Sequence, residues 1–155
     1  MNKRYVLVVA GKQHLSEVYR MCRKAFSEGI EGHLEIDAEK MKNHIYHLIT
    51  SPHQFSVIAM AGGKPKAVLL GSVGAHAYCK GLVASDDCIY VSPTLRGSRC
   101  ADELVEAYTG WCNRIPNLVG ATLSLSQLNA TTPYMESLYR KHGYKKSGLS
   151  YSLMR

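Results

Sequence analysis

Two rhythms of apolar residues alternate along this chain, and each change of rhythm marks an element. The run Tyr5-Val6-Leu7-Val8-Val9-Ala10 is strand-sized and predicts a β-strand over residues 4–10. Leu15, Val18, Tyr19, Cys22 and Phe26 then recur at helical spacing, which predicts a helix over 13–27. Residues 27–32, with Gly29 and Gly32, read as a loop. Asp37 is placed to cap a second helix whose apolar face carries Met41, Ile45, Leu48 and Ile49, and Ser51-Pro52 ends it. Phe55–Ala61 and Ala67–Tyr78 read as a hairpin turning at Gly62-Gly63-Lys64-Pro65. Asp87–Val91 is a further strand, followed by a loop over 92–98.

The third helix carries Ala101, Leu104, Val105, Tyr108, Trp111 and Cys112 on one stripe, and Ala121–Leu125 reads as a strand. Thr132 and Pro133 suit the cap and first position of a fourth helix, which Gly143 would end. Tyr144 begins a short strand, and Leu149–Met154 gives the last. The order β-α-α-β-β-β-α-β-α-β-β predicts an α/β (α+β) fold with a mixed, mostly antiparallel central sheet flanked by about four helices. Residues 1–155 read as a single domain, which the length of 155 residues suits.

Composition narrows the partners. The chain holds 19 Lys and Arg against 12 Asp and Glu, a net charge of +7, which attracts polyanions. Nucleic acid is one candidate and a phosphate-bearing cofactor another. Basic residues cluster only at Arg140, Lys141, Lys145 and Lys146, and no helix-turn-helix, RNP or zinc signature accompanies them, so a nucleic-acid-binding module is the lesser reading. The five cysteines, Cys22, Cys79, Cys88, Cys100 and Cys112, are odd in number and form no Cys-x-x-Cys pair. Dispersed thiols suit a reducing compartment, and the expected location is cytoplasmic. No apolar run approaches the ~18 residues of a membrane helix, so no membrane partner is expected.

The most informative stretch is Cys88-Ile89-Tyr90-Val91-Ser92-Pro93-Thr94-Leu95-Arg96-Gly97-Ser98-Arg99-Cys100-Ala101. A strand ends, a loop turns and a helix begins. The first turn of a helix leaves its N–H groups without intrahelical partners, and with the helix dipole they form an anion site. Gly97 allows close backbone approach, and Arg96 and Arg99 add charged donors.

Two segments carry a resemblance. Val-x-Pro-x-x-Arg-Gly, leading into a helix, resembles the acetyl-CoA signature of the GNAT superfamily of N-acetyltransferases, Gln/Arg-x-x-Gly-x-Gly/Ala, with Arg96 in its first position and Ala101 in its last. Arg99 stands where the family has a glycine. Leu138-Tyr139-Arg140-Lys141-His142-Gly143-Tyr144 resembles the family's C-terminal Leu-Tyr-x-x-x-Gly-Phe/Tyr segment.

The resemblance implies direct transfer of acetyl from acetyl-CoA to a primary amine, with no metal and no covalent enzyme intermediate. It implies a cofactor site of Tyr90, Val91, Arg96, Gly97, Ser98, Arg99, Cys100, Ala101 and Asn129, the main chain of Tyr90 and Val91 pairing with the pantetheine arm. Tyr139 becomes the acid toward the departing thiolate. A carboxylate must take the amine's proton, and Asp86 and Asp87 are the candidates; alternation puts Asp87 on one face with Ile89 and Val91, and the resemblance, which implies a base on this strand shortly before the loop, favours Asp87. Glu28, Glu31, His33, Glu35 and Asp37 gather where the family builds its acceptor pocket. A homodimer is also compatible, as is a GNAT-like protein that binds CoA without efficient catalysis.

Overall fold

A computed structural model of the protein describes residues 4–29, 31–125, 132–148, 151 and 153. Its elements are β1 (Val6–Val9), α1 (Leu15–Glu28), α2 (Ala38–Thr50), β2 (Phe55–Ala61), β3 (Lys64–Ala75), β4 (Leu82–Val91), α3 (Cys100–Asn113), β5 (Leu118–Thr122) and α4 (Thr132–Lys141). The five strands lie in sequence order; β1 to β4 pair antiparallel and β5 joins β4 in parallel. This is the mixed, mostly antiparallel sheet that the apolar rhythm implies. Among the described residues no helix is long and apolar enough to cross a membrane.

The sheet is covered on both faces. On one, Val18, Met21 and Cys22 of α1 and Ile45, Leu48 and Ile49 of α2 pack against Ile58, Val68, Leu70 and Tyr90. On the other, Leu104, Val105 and Tyr108 of α3 and Leu138 and Tyr139 of α4 cover Phe55, Ala59, Ala67 and Leu69. Each helix therefore buries one stripe and leaves the opposite face to water. Asp37 caps α2 as expected, its carboxylate accepting from the Lys40 amide at 3.0 Å. Gly143 adopts φ +89°, and the amides of Gly143 and Tyr144 donate to the carbonyls of Arg140 and Tyr139, which closes α4 in a Schellman motif.

Several boundaries differ from the sequence reading. The β2–β3 turn is the two residues Gly62-Gly63, both at positive φ, so β3 begins at Lys64 and ends at Ala75 instead of Tyr78. β4 begins at Leu82, five residues before the expected start, because pairing with β3 carries its polar stretch Ser85-Asp86-Asp87. β5 lies three residues earlier than expected. Residues 144–148 form no strand; Tyr144 is instead held by its amide bond to Tyr139 and by its hydroxyl, 3.0 Å from that of Thr109. Residues 149–150, 152 and 154 of the expected last strand lie outside the described residues, as does Asn129.

The candidate active site: a split between parallel strands

β4 and β5 part company midway. Their pairing runs from Leu82–Leu118 to Ser85–Thr122, whereas β4 continues to Val91 along β3. Tyr108 sets this geometry from below. Its fully buried ring lies against Gly71, where an added Cβ would sit 2.7 Å from Cε2, and its hydroxyl donates to the Thr122 carbonyl at 3.2 Å. The split opens into a cleft of about 760 Å³ that reaches from α1 and α2, past β4, to the start of α3 and the side of α4.

At the fork, Asp86 accepts a hydrogen bond from the Ser124 amide at 2.9 Å, and the Tyr139 hydroxyl donates to the Ser124 carbonyl at 3.1 Å. One backbone residue thus joins a carboxylate from β4 to a phenol from α4. Burial pushes the Asp86 carboxyl from its ordinary 3.8 up to about 6, against the opposing effect of the Ser124 hydrogen bond. Burial also pushes the Tyr139 phenol well up, reinforced by the nearby Asp86 charge, so it stays protonated through the neutral range.

The expected alternation of Asp87 with Ile89 and Val91 does not hold. Leu70 pairs with Cys88 and Gly71 with Asp86, so Asp87 is the extra residue of a β-bulge. The bulge inverts the pattern. Ala84 before it and Ile89 and Val91 after it pack on the α3 side, and Cys88 and Tyr90 pack on the α1 side. Asp86 belongs with Tyr108 and Tyr139, whereas Asp87 meets α2, its carboxylate 3.0 Å from His44 Nε2. Both carboxylates line the cleft.

The loop after β4 holds a 3₁₀ turn at Pro93–Leu95 and then the expected anion turn. Gly97 takes φ +80°, a conformation that glycine adopts without strain, and a Cβ there would meet nothing within 4 Å. The Ser98 hydroxyl donates to the Leu95 carbonyl at 2.6 Å and accepts from the Cys100 amide at 3.2 Å, which pins the turn to the start of α3. Arg96 folds back. Its Nε donates to the Val91 carbonyl at 3.0 Å, Nη2 lies 3.3 Å from Glu28, and the guanidinium stands 5.8 Å from the Tyr90 ring centre. Arg99 points outward, 73% exposed, with Nη2 3.6 Å from Asp102. That buried aspartate also holds Lys141 Nζ at 2.6 Å and His142 Nε2 at 2.7 Å, and these two hydrogen bonds keep its carboxyl below the usual range. A smaller hollow of about 290 Å³ lies beside the turn, between Arg99, Tyr134 and Lys141.

The sequence-predicted residues fall into three places. Tyr90, Val91, Arg96, Gly97, Ser98 and Ala101 line the cleft with Asp87 and Tyr139. Arg99 borders the smaller hollow, and Cys100 is fully buried with its thiol pushed up to about 12 by desolvation. Of the expected acceptor residues, Glu28 and Glu31 line the cleft, Asp37 caps α2, and His33 and Glu35 are outside the lining. Ser124 and His44 joined the site without a motif to announce them. The only signal for His44 was its place on the polar face of α2.

No family model and no curated protein matches the chain. Solved structures do. A predicted acetyltransferase with acetyl-CoA from Clostridium acetobutylicum superposes with a TM-score of 0.76 at 17% identity, over 97% of this chain and 96% of that one. A possible acetyltransferase from Clostridium difficile 630 gives 0.72 at 14% identity, over 99% and 100%. The aminoglycoside N-acetyltransferase AAC(6')-Iy, in complex with a bisubstrate analogue of CoA and acetylneamine, gives 0.67 at 16% identity, over 99% of each. The chain therefore has the acyl-CoA N-acyltransferase fold of the GNAT superfamily. The likeness extends over essentially the whole of this chain and of those proteins.

Proposed function

We propose that the protein is an acetyl-CoA-dependent N-acetyltransferase. The observation that carries this reading is the split sheet: strand β4 leaves β5 at Ser85, and the cleft so formed ends on the turn that opens α3. An extended thiol arm suits the strand side of that split, because a strand beyond its last partner offers free main-chain groups to a ligand. A pyrophosphate suits the turn, where Gly97 removes side-chain bulk and the start of α3 presents the positive end of the helix dipole. Neighbours solved with acetyl-CoA or CoA support the same cofactor here.

The residues divide the work as follows. Asp86 takes the proton from the incoming ammonium, and we prefer it to Asp87. It sits at the fork beside Tyr139, and a carboxyl raised to about 6 is still ionised at pH 7 and more basic than a solvated one. The freed amine then attacks the thioester carbon, whose carbonyl oxygen an amide near Val91 would polarise. Tyr139 donates to the sulfur as it leaves, turning its hydroxyl from the Ser124 carbonyl into the cleft. Arg96 acts as a positioning residue, tying the turn to β4 and α1 through Val91 and Glu28. Phosphate contact by a side chain falls instead to Arg99. No thiol is needed as a nucleophile: the Cys88 thiol is pushed well up by its neighbour Cys22 and by burial, which disfavours the thiolate.

Thermal unfolding with and without acetyl-CoA tests the reading. A ligand at 100 times its Kd adds about 2.7 kcal/mol, which for a chain of this size raises Tm by roughly 5–10 °C. An unmoved Tm at millimolar acetyl-CoA would overturn it. A shift without thiol release on any amine would overturn the catalytic half.

A further inference from the structure

The cleft's charge opposes that of the chain. The protein carries a net +7, yet among the described residues the cleft wall holds Glu28, Glu31, Asp86 and Asp87 against the single guanidinium of Arg96. Arg96 is already engaged by Glu28. The acids are also sorted along the cleft. Asp86 is at the fork beside Tyr139, whereas Asp87 faces α2 and Glu31 follows the C-terminal end of α1. At the bulge both adjacent carboxylates reach the cleft wall, Asp86 on the Ser124 amide and Asp87 against His44 of α2. His44 fixes the outer one by its contact with Asp87. The floor on that side is apolar, made by Phe26, Met41, Ile45 and Leu48.

We propose that the acceptor is a small aliphatic di- or polyamine, with its reacting amine directed to Asp86, its methylenes on the apolar floor, and a second ammonium held by Asp87 and Glu31. This rests on the acetyltransferase reading and adds to it the class of acceptor. A single cation needs one carboxylate to accept its proton. A second carboxylate on the α2 side of the cleft, beside that apolar floor, raises the affinity of a ligand that carries a matching second charge, and it repels acidic acceptors. A peptide N-terminus presents amide groups to Phe26, Met41, Ile45 and Leu48, whose side chains offer them no strong hydrogen-bond partner.

The test compares 1,4-diaminobutane with 4-amino-1-butanol, which keeps the length and the reacting amine but replaces the second ammonium by a hydroxyl. Thiol release from acetyl-CoA is followed with the intact protein, with longer polyamines and a neutral N-terminal peptide as further arms. The diamine is expected to show kcat/KM about 10-fold or more above the amino alcohol, since a hydrogen bond to a charged group is worth about that factor. In Asp87→Asn with Glu31→Gln the diamine's KM rises and the preference falls toward unity, with the larger change in KM and not in kcat. Equal use of the amino alcohol, better use of the peptide, or a preference untouched in the double variant overturns the proposal. Binding of acetyl-CoA without turnover of any diamine also overturns it. Failure to bind acetyl-CoA at all removes the reading beneath it.

Discussion

Replacing Asp86 by asparagine is expected to make the protein more stable and less active at the same time. The folded state raises this carboxyl from 3.8 to about 6, so ionising it costs folding free energy. Below 3.8 the group is protonated in both states and contributes nothing. Between 3.8 and 6 the unfolded chain ionises first, and stability falls as pH rises. Above 6 the full cost is present. The gap corresponds to about 3 kcal/mol, an upper bound because the side chain keeps some access to water. Asparagine is isosteric, cannot ionise, and keeps an oxygen to accept from the Ser124 amide, at the loss of the charge that strengthens that bond. The expected net gain near pH 7.5 is about 1–3 kcal/mol, or roughly 3–10 °C in Tm, shrinking to nothing near pH 4. Thermal unfolding of both proteins across that range measures it. In turnover, kcat/KM of the native protein should rise with pH through about 6, and the variant should lose ~10²–10⁴-fold. A variant less stable at every pH, or a Tm difference that is the same at pH 4 and 7.5, would refute the placement of a desolvated carboxylate at the fork. Unchanged turnover would refute its role as base.

Two further substitutions probe the same region. Tyr139→Phe removes the hydroxyl that donates to the Ser124 carbonyl; turnover should fall ~10²-fold or more with acetyl-CoA affinity little changed, and unaltered kcat would take Tyr139 out of the acid role. Gly71→Ala places a methyl 2.7 Å from Tyr108 Cε2 and 3.2 Å from the Ser85 carbonyl, so thermal unfolding should show a loss of about 1–3 kcal/mol; an unmoved Tm would mean that the Tyr108 ring does not hold the split.

The sequence was most legible where one physical signal acted alone. Val18, Cys22, Ile45 and Leu48 face the sheet because helical spacing left them no other arrangement, and Asp37 and Gly143 cap their helices by local chemistry. β4 was less legible. Its first half is polar or small, and pairing with β3 decides its extent. A bulge has no local signature in Asp86-Asp87-Cys88, since it arises from the register of two strands distant in sequence. For that reason alternation placed Asp87 on one face with Ile89 and Val91, which the bulge does not allow. Ser124 was invisible for a similar reason: no motif marks the amide and carbonyl that bind Asp86 and Tyr139. Arg96 was recognisable as a cation but not as one turned inward, because Glu28, its partner, lies 68 residues away.

Asp102 has a wider consequence. Two cations, Arg99 and Lys141, and the His142 imidazole meet where α3 approaches α4, and this one buried carboxylate sits among them. It works as a resident counter-ion. Without it the end of α4 would lose the Lys141 and His142 bonds that tie it to the start of α3. With it, Arg99 and Lys141 are already gathered at the surface, so under the proposed reading a cofactor phosphate would meet its partners preassembled. The entropy of collecting them is spent during folding, and the helix that carries Tyr139 is anchored by the same contact to the turn that would receive the phosphates.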